Sequence, residues 1–203
     1  IDNRQMTVDK TLVRTIGNRL KWSLLSIALL STVNLVFGQS NAKDYLLGRF
    51  DETKDARFVR LGDGYAKGSA VGKYLRKETY EAFVKMAEAA KKDGVNLFII
   101  SATRNYESQK TIWENKWEGR TLVEGKNLTT ITDLAERARM ILLYSSMPGT
   151  SRHHWGTDMD LNALENSYFE SGEGLKIYKW LLTSAAEYGF CQPYTSKAQG
   201  RTG

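Results

Sequence analysis

LRKETYEAFVKMAEAAKKDGVNLFIIS, residues 75–101, changes its periodicity once, and the change sets the fold class. From Leu75 to Asp93, Tyr80, Phe83, Val84, Ala87 and Ala90 fall on one face of a helix, and Gly94 stops it. Val95 to Ser101 then reads as a short, strongly apolar strand. Helix resumes from Asn105 to Trp117, with Tyr106, Gln109, Ile112 and Trp113 near one side. Ile131 to Tyr144 forms another helix. The last runs from Leu175 to Tyr188, with Leu175, Tyr178, Leu182 and Ala185 on its buried stripe and Gly189 as its stop. Upstream, residues 39–74 are punctuated by Gly48, Gly62, Gly64, Gly68 and Gly72 and read as short strands and turns. Helices interleaved with few short strands, without repeat or linker, predict a compact α+β domain over residues 39–203.

The composition, 41% hydrophobic and 26% charged, excludes wholesale disorder. Half of the formal charge of +6 lies in residues 1–38, where five Lys or Arg face Asp2 and Asp9. The mild excess that remains suits an anionic wall polymer and argues against nucleic acid as a partner. Cys191 is the one cysteine, so no intrachain disulfide or thiolate cluster can form. Arg14, Arg19 and Lys21 precede an apolar run from Trp22 to Phe37, the pattern of an export segment, with cleavage expected before Gln39 and Met6 as a natural start. An uncleaved membrane anchor is the alternative, although residues 22–37 fall short of the roughly 20 needed to span a bilayer. The expectation is an exported protein of the periplasm or cell envelope, monomeric, touching a membrane only through residues 1–38.

Both histidines lie in one segment, Ser151-Arg152-His153-His154-Trp155-Gly156-Thr157-Asp158-Met159-Asp160. Imidazole nitrogen and carboxylate oxygen are good zinc ligands, and a catalytic zinc takes three protein ligands and leaves a position for water. On composition alone, a polar turn whose histidines bond to backbone groups fits equally well. In a straight strand His153 and Asp160 point to opposite faces, so they converge only if the backbone bends between them, and Gly156 is where a bend costs least. Asp158 shares a face with Asp160, as an alternative ligand or a partner for imidazole.

Ser151-x-His153-x-x-Gly156-x-x-x-Asp160 resembles the zinc-binding signature of the VanY-type D-alanyl-D-alanine carboxypeptidases, a family that includes D,D- and L,D-carboxypeptidases of peptidoglycan. Ile100-Ser101-Ala102-Thr103-Arg104-Asn105-Tyr106-x-x-Gln109 is similar to the family's strand-then-arginine element. The resemblance covers roughly residues 60–203 and implies a small antiparallel sheet with flanking helices, of the Hedgehog/DD-peptidase type. It implies Zn2+ held by His153 and Asp160, and Arg104 against the substrate's carboxylate or the developing oxyanion. Gln109 and Ser151 are candidate substrate contacts. The implied reaction is zinc-dependent removal of the terminal D-amino acid from peptidoglycan stem peptides.

Two departures accompany this pattern. Asp158 stands where the family has a small residue. The family's third zinc ligand, a histidine, and its general base, a glutamate three residues before it, have no counterpart after Tyr188-Gly189-Phe190. The resemblance places both beyond Gly203, so that residues 1–203 by themselves are expected to hold zinc weakly and cut nothing; a non-catalytic wall-binding homologue is the alternative.

Overall fold

In the computed structural model of the chain, residues 42–193 are described, and the expected export segment and its cleavage position lie outside them. Among the described residues no helix is long and apolar enough to cross a membrane. Strands β1 (Phe58–Arg60) and β2 (Tyr74–Arg76) lead into helix α1 (Lys77–Lys92), followed by β3 (Ile99–Ser101) and α2 (Tyr106–Trp117). Helix α3 (Leu134–Leu142), strand β4 (Asp160–Leu161) and helix α4 (Gly172–Ser184) complete the order. The expected antiparallel sheet takes the form of two separate ladders. β1 pairs with β2, Phe58 opposite Arg76; β3 pairs with β4, Ile99 opposite Leu161 and Ser101 opposite Asp160. Ile99 also bonds to the loop between β1 and β2, donating its N–H to Tyr65 O and accepting from Lys67 N–H.

α1 buries Thr79, Phe83, Met86, Ala87 and Ala90, while Tyr80 and Val84 flank this stripe half-buried. Gly94, at φ +71°, ends the helix, with Val95 N–H returning to Ala90 O. Val95, Leu97 and Ile99 are buried in alternation, as a strand would bury them, yet ladder pairing starts only at Ile99. The reason is Asn162, just past the two-residue β4: its side-chain amide donates to Asn96 O and accepts from Phe98 N–H, taking the place of a partner strand.

The helix ends shift where side chains cap them. Asn105 accepts Ser108 N–H at the start of α2. Asp133 accepts from Ala135 and Glu136 N–H, so α3 starts at Leu134 rather than Ile131, and it ends at Leu142 rather than Tyr144. α4 begins at Gly172, three residues earlier than expected, and passes into a 3-10 turn over Ala185–Tyr188 before Gly189. Its inward line is Gly174 and Ile177, with Leu181 and Ala185 against the core; Leu182, expected inside, is 60% exposed. Gly174 sets this rotation, because a Cβ there would lie 1.9 Å from Tyr168 O, so only a glycine lets the helix rest on that carbonyl. Leu61, Leu75, Phe83, Met86, Ile99 and Ile177 form the main core. Trp113 and Trp117 pack on a second cluster around Val123, Leu128 and Ile141.

His154 ties the segments that carry the candidate site. Its ring is fully buried; Nδ1 donates to Arg104 O and Nε2 accepts Gly149 N–H at 3.0 Å. Gly48, at φ +71°, lies against the ring so closely that a Cβ would sit 2.5 Å from Cγ. Gly48 O in turn accepts Tyr106 N–H at 2.7 Å. His154→Ala removes the ring and leaves two backbone groups unpaired, and should lower stability by about 3 kcal/mol or more, read as a shift in urea midpoint. Phe83→Ala, emptying the centre of the core, should cost about 3–5 kcal/mol in the same measurement, with an unchanged m-value.

Candidate active site

The turn that follows the two histidines decides whether His153 and Asp160 meet. Arg152–Trp155 form a 3-10 turn and Gly156 takes a left-handed conformation, φ +70°. A Cβ at Gly156 would run into the Phe58 ring at 2.3 Å, and Gly156 O accepts Arg76 N–H, so the bend is fastened to the β1–β2 ladder. Trp155 N–H of the indole donates to Leu46 O, which pins the outer side of the turn. The chain returns into β4, where Asp160 pairs with Ser101 at the end of β3. His153 Nδ1 bonds to Ala102 O at 2.9 Å, and His153 O accepts Arg104 N–H. Nδ1 must carry the proton to serve a carbonyl, which leaves the lone pair on Nε2, 3.6 Å from Asp160 Oδ2. Burial, and then the Arg104 charge, push the His153 pKa down and outweigh the pull of Asp160. The imidazole is therefore held neutral, the form that binds a metal.

The other histidine and the other aspartate are committed elsewhere. Both ring nitrogens of His154 serve the backbone, so His154 has no free nitrogen for a ligand role. Asp158 pairs with Arg152, Nε to Oδ2 at 2.9 Å, which leaves Asp160 as the carboxylate beside His153. Among the described residues no group of three His, Cys, Asp or Glu converges.

Arg104 leaves the end of β3 half-buried, and its Nε is buried without a hydrogen-bond partner. Burial pulls its pKa below the ordinary guanidinium value, opposed by the charges of Asp160 and Asp158. Gln109, one turn into α2, is buried; Nε2 donates to Ser146 O at 2.7 Å while Oε1 has no donor. Ser151 is buried at the entrance of the histidine turn, where its carbonyl accepts His154 N–H. His153, Asp160 and Arg104 thus come together, with Gln109 on the adjoining helix and Ser151 beneath the turn. A further side chain, unannounced by the motifs, reaches the segment that Gln109 contacts. Lys116 Nζ donates to Ser145 Oγ at 2.6 Å, on the segment that Gln109 also reaches. Its place seven residues after Gln109 on a helix was the available signal.

Comparison with known proteins shows the family and the fold. The protein YodJ of Bacillus subtilis (strain 168) is 31% identical over 133 residues, which span 64% of this chain and 42% of YodJ. A D-alanyl-D-alanine carboxypeptidase of Enterococcus faecalis (strain ATCC 700802 / V583) is 28% identical over 140 residues, covering 69% of this chain and 45% of that protein. The chain therefore spans less than half the length of these relatives. The solved structure of the LdcB LD-carboxypeptidase superposes with a TM-score of 0.55 at 24% identity, covering 75% of this chain and 64% of that one, so the fold is shared. Residues 72–203, which hold the arginine element, the histidine turn and Asp160, match the family VanY, D-alanyl-D-alanine carboxypeptidase, and the chain belongs to that family.

Proposed function

We propose that the chain carries part of the zinc site and the substrate arginine of a carboxypeptidase that removes the terminal D-amino acid from peptidoglycan stem peptides. The observation that carries this reading is the pair His153 Nε2 and Asp160 Oδ2, 3.6 Å apart, neither atom hydrogen-bonded among the described residues. Two donors at zinc distances of about 2.0–2.1 Å on a tetrahedral ion stand roughly 3.3 Å apart, so the donor set fits with little movement. The Nδ1–Ala102 bond orients the imidazole as an outer partner orients a metal-bound histidine. Bound there, zinc would polarise the scissile carbonyl and lower the pKa of its water. The third ligand and the general base would come from outside residues 42–193.

The remaining groups bind and orient. Arg104 presents an uncommitted Nε and a rigid fork to a carboxylate or a developing oxyanion, in a half-buried place where water competes weakly. Gln109 Oε1, a buried acceptor, suits a peptide N–H. A wall peptide lies outside the cytoplasm, in keeping with the export reading of residues 14–37.

Zinc titration of the chain followed by calorimetry tests the metal pair. His153→Ala and Asp160→Asn should each weaken zinc binding at least about tenfold, since each removes one of two donors. Unchanged zinc affinity in both variants would falsify the assignment. In an active form of the protein, Arg104→Lys should lower the rate of D-alanine release by about 10²-fold with an unaltered unfolding midpoint, because an ammonium cannot reproduce the fork.

A further inference from the structure

The carbonyls of the histidine turn and its bend are held from different parts of the chain. His153 O accepts Arg104 N–H from the segment after β3, and Gly156 O accepts Arg76 N–H from β2. Trp155 O, between them, accepts the hydroxyl of Tyr45, 110 residues earlier in the chain. This hold is made by a side chain, so it can be removed without touching a strand ladder.

Tyr45 is itself built in. Residues 42–46 are helical, and Tyr45 is half-buried there. Arg76 Nη1 donates to its hydroxyl oxygen at 3.2 Å, and the Arg57 guanidinium lies over its ring, 4.4 Å from the centroid. A hydroxyl oxygen that accepts from a guanidinium turns its own proton away, here toward Trp155 O. The ring meets Phe50 with centroids 5.4 Å apart, and Phe50 meets Phe58 at 5.3 Å. Phe58 is the ring that fills the space beside Gly156. The next residue completes the grip, because Leu46 O takes the Trp155 indole N–H at 3.1 Å. Residues 45 and 46 thus hold Trp155 by its carbonyl and by its indole, immediately before the bend. They lie outside residues 72–203, the part that matches the family.

We propose that Tyr45, with the Leu46 carbonyl beside it, is a positioning residue for the metal pair: by holding Trp155 it fixes the bend at Gly156, and through the bend the gap between His153 Nε2 and Asp160 Oδ2. This rests on the carboxypeptidase reading and adds to it a residue that touches neither metal nor substrate. His153 and Asp160 stand on opposite sides of Gly156 in the chain, so freedom in the bend becomes freedom in their separation. A metal site tolerates little of that, since its ligands lie within about 0.2 Å of set distances. The scaffold does not depend on the Tyr45 hydroxyl in the same way, because His154 bonds to Arg104 O and Gly149 N–H without it.

The test is an NMR-monitored zinc titration of the 203-residue chain, with the imidazole nitrogen signals also recorded before metal is added. Tyr45→Phe keeps the ring and removes the hydroxyl. It should weaken zinc binding about tenfold, as loss of an outer partner does, and should shift the metal-free His153 ring signals while those of His154 stay in place. Tyr65→Phe deletes the same group from a bond to Glu88 on α1 and should change neither quantity. Trp155→Phe, which lacks the bond to Leu46 O, gives the same comparison if Tyr45→Phe unfolds. Wild-type zinc affinity and unmoved His153 signals in whichever of these two variants folds would overturn the positioning role and leave the carboxypeptidase reading standing. An equal loss of zinc affinity in Tyr65→Phe would overturn it too, as an effect of general stability. Zinc affinity indifferent to His153→Ala would overturn the metal pair and the positioning role together.

Discussion

The buried imidazole of His154 holds the candidate site in place. One ring nitrogen serves the carbonyl of Arg104 and the other the amide of Gly149, so a single side chain links the end of the β3 segment to the loop before the histidine turn. Gly48 presses on the same ring and bonds to the start of α2. The next histidine back along the chain has the opposite assignment. His153 spends only Nδ1 on the backbone and keeps Nε2 for whatever lies beside Asp160. Two adjacent histidines thus divide into a structural bolt and a free donor. The division follows from which way each ring faces in a four-residue turn.

Electrostatics sorts the charged groups in the same way. Asp158 pairs with Arg152 at the edge of the turn, while Asp160, more strongly than Asp158, acts on His153 and Arg104. Arg104 and burial keep His153 neutral, so the arginine that suits a substrate carboxylate also keeps the imidazole lone pair available. Lys116 meets the Ser145 side of the corner whose Ser146 carbonyl Gln109 engages.

Much of this was legible in the sequence because it depends on local rules. The apolar spacing of Phe83, Ala87 and Ala90, the Gly94 stop and the Asn105 cap are short-range signals, and α1 and α2 follow them closely. The spacing of Ser151, His153, Gly156 and Asp160 carried both the family and the need for a bend at Gly156, where φ is +70°. Leu182 was misplaced because α4 has apolar residues on more than one side; the side facing inward is set by the contact of Gly174 with Tyr168 O. The strand at Val95–Ser101 was read too long because the alternation was visible, whereas the side-chain capping by Asn162, over sixty residues away, was not.

The sequence by itself determined the element types, the polar turn with its two histidines and the family to which they belong, since each rests on residue identity and spacing along the chain. Only the tertiary structure decided which histidine has both ring nitrogens spent on the backbone, which aspartate stands beside the other, and that Lys116 shares a corner with Gln109. Those choices depend on distances between segments about fifty residues apart in the chain, as between Ala102 and His153, or Arg104 and His154. Residue spacing sets the direction of a side chain within its own element, but the partner it meets is set by how the elements pack.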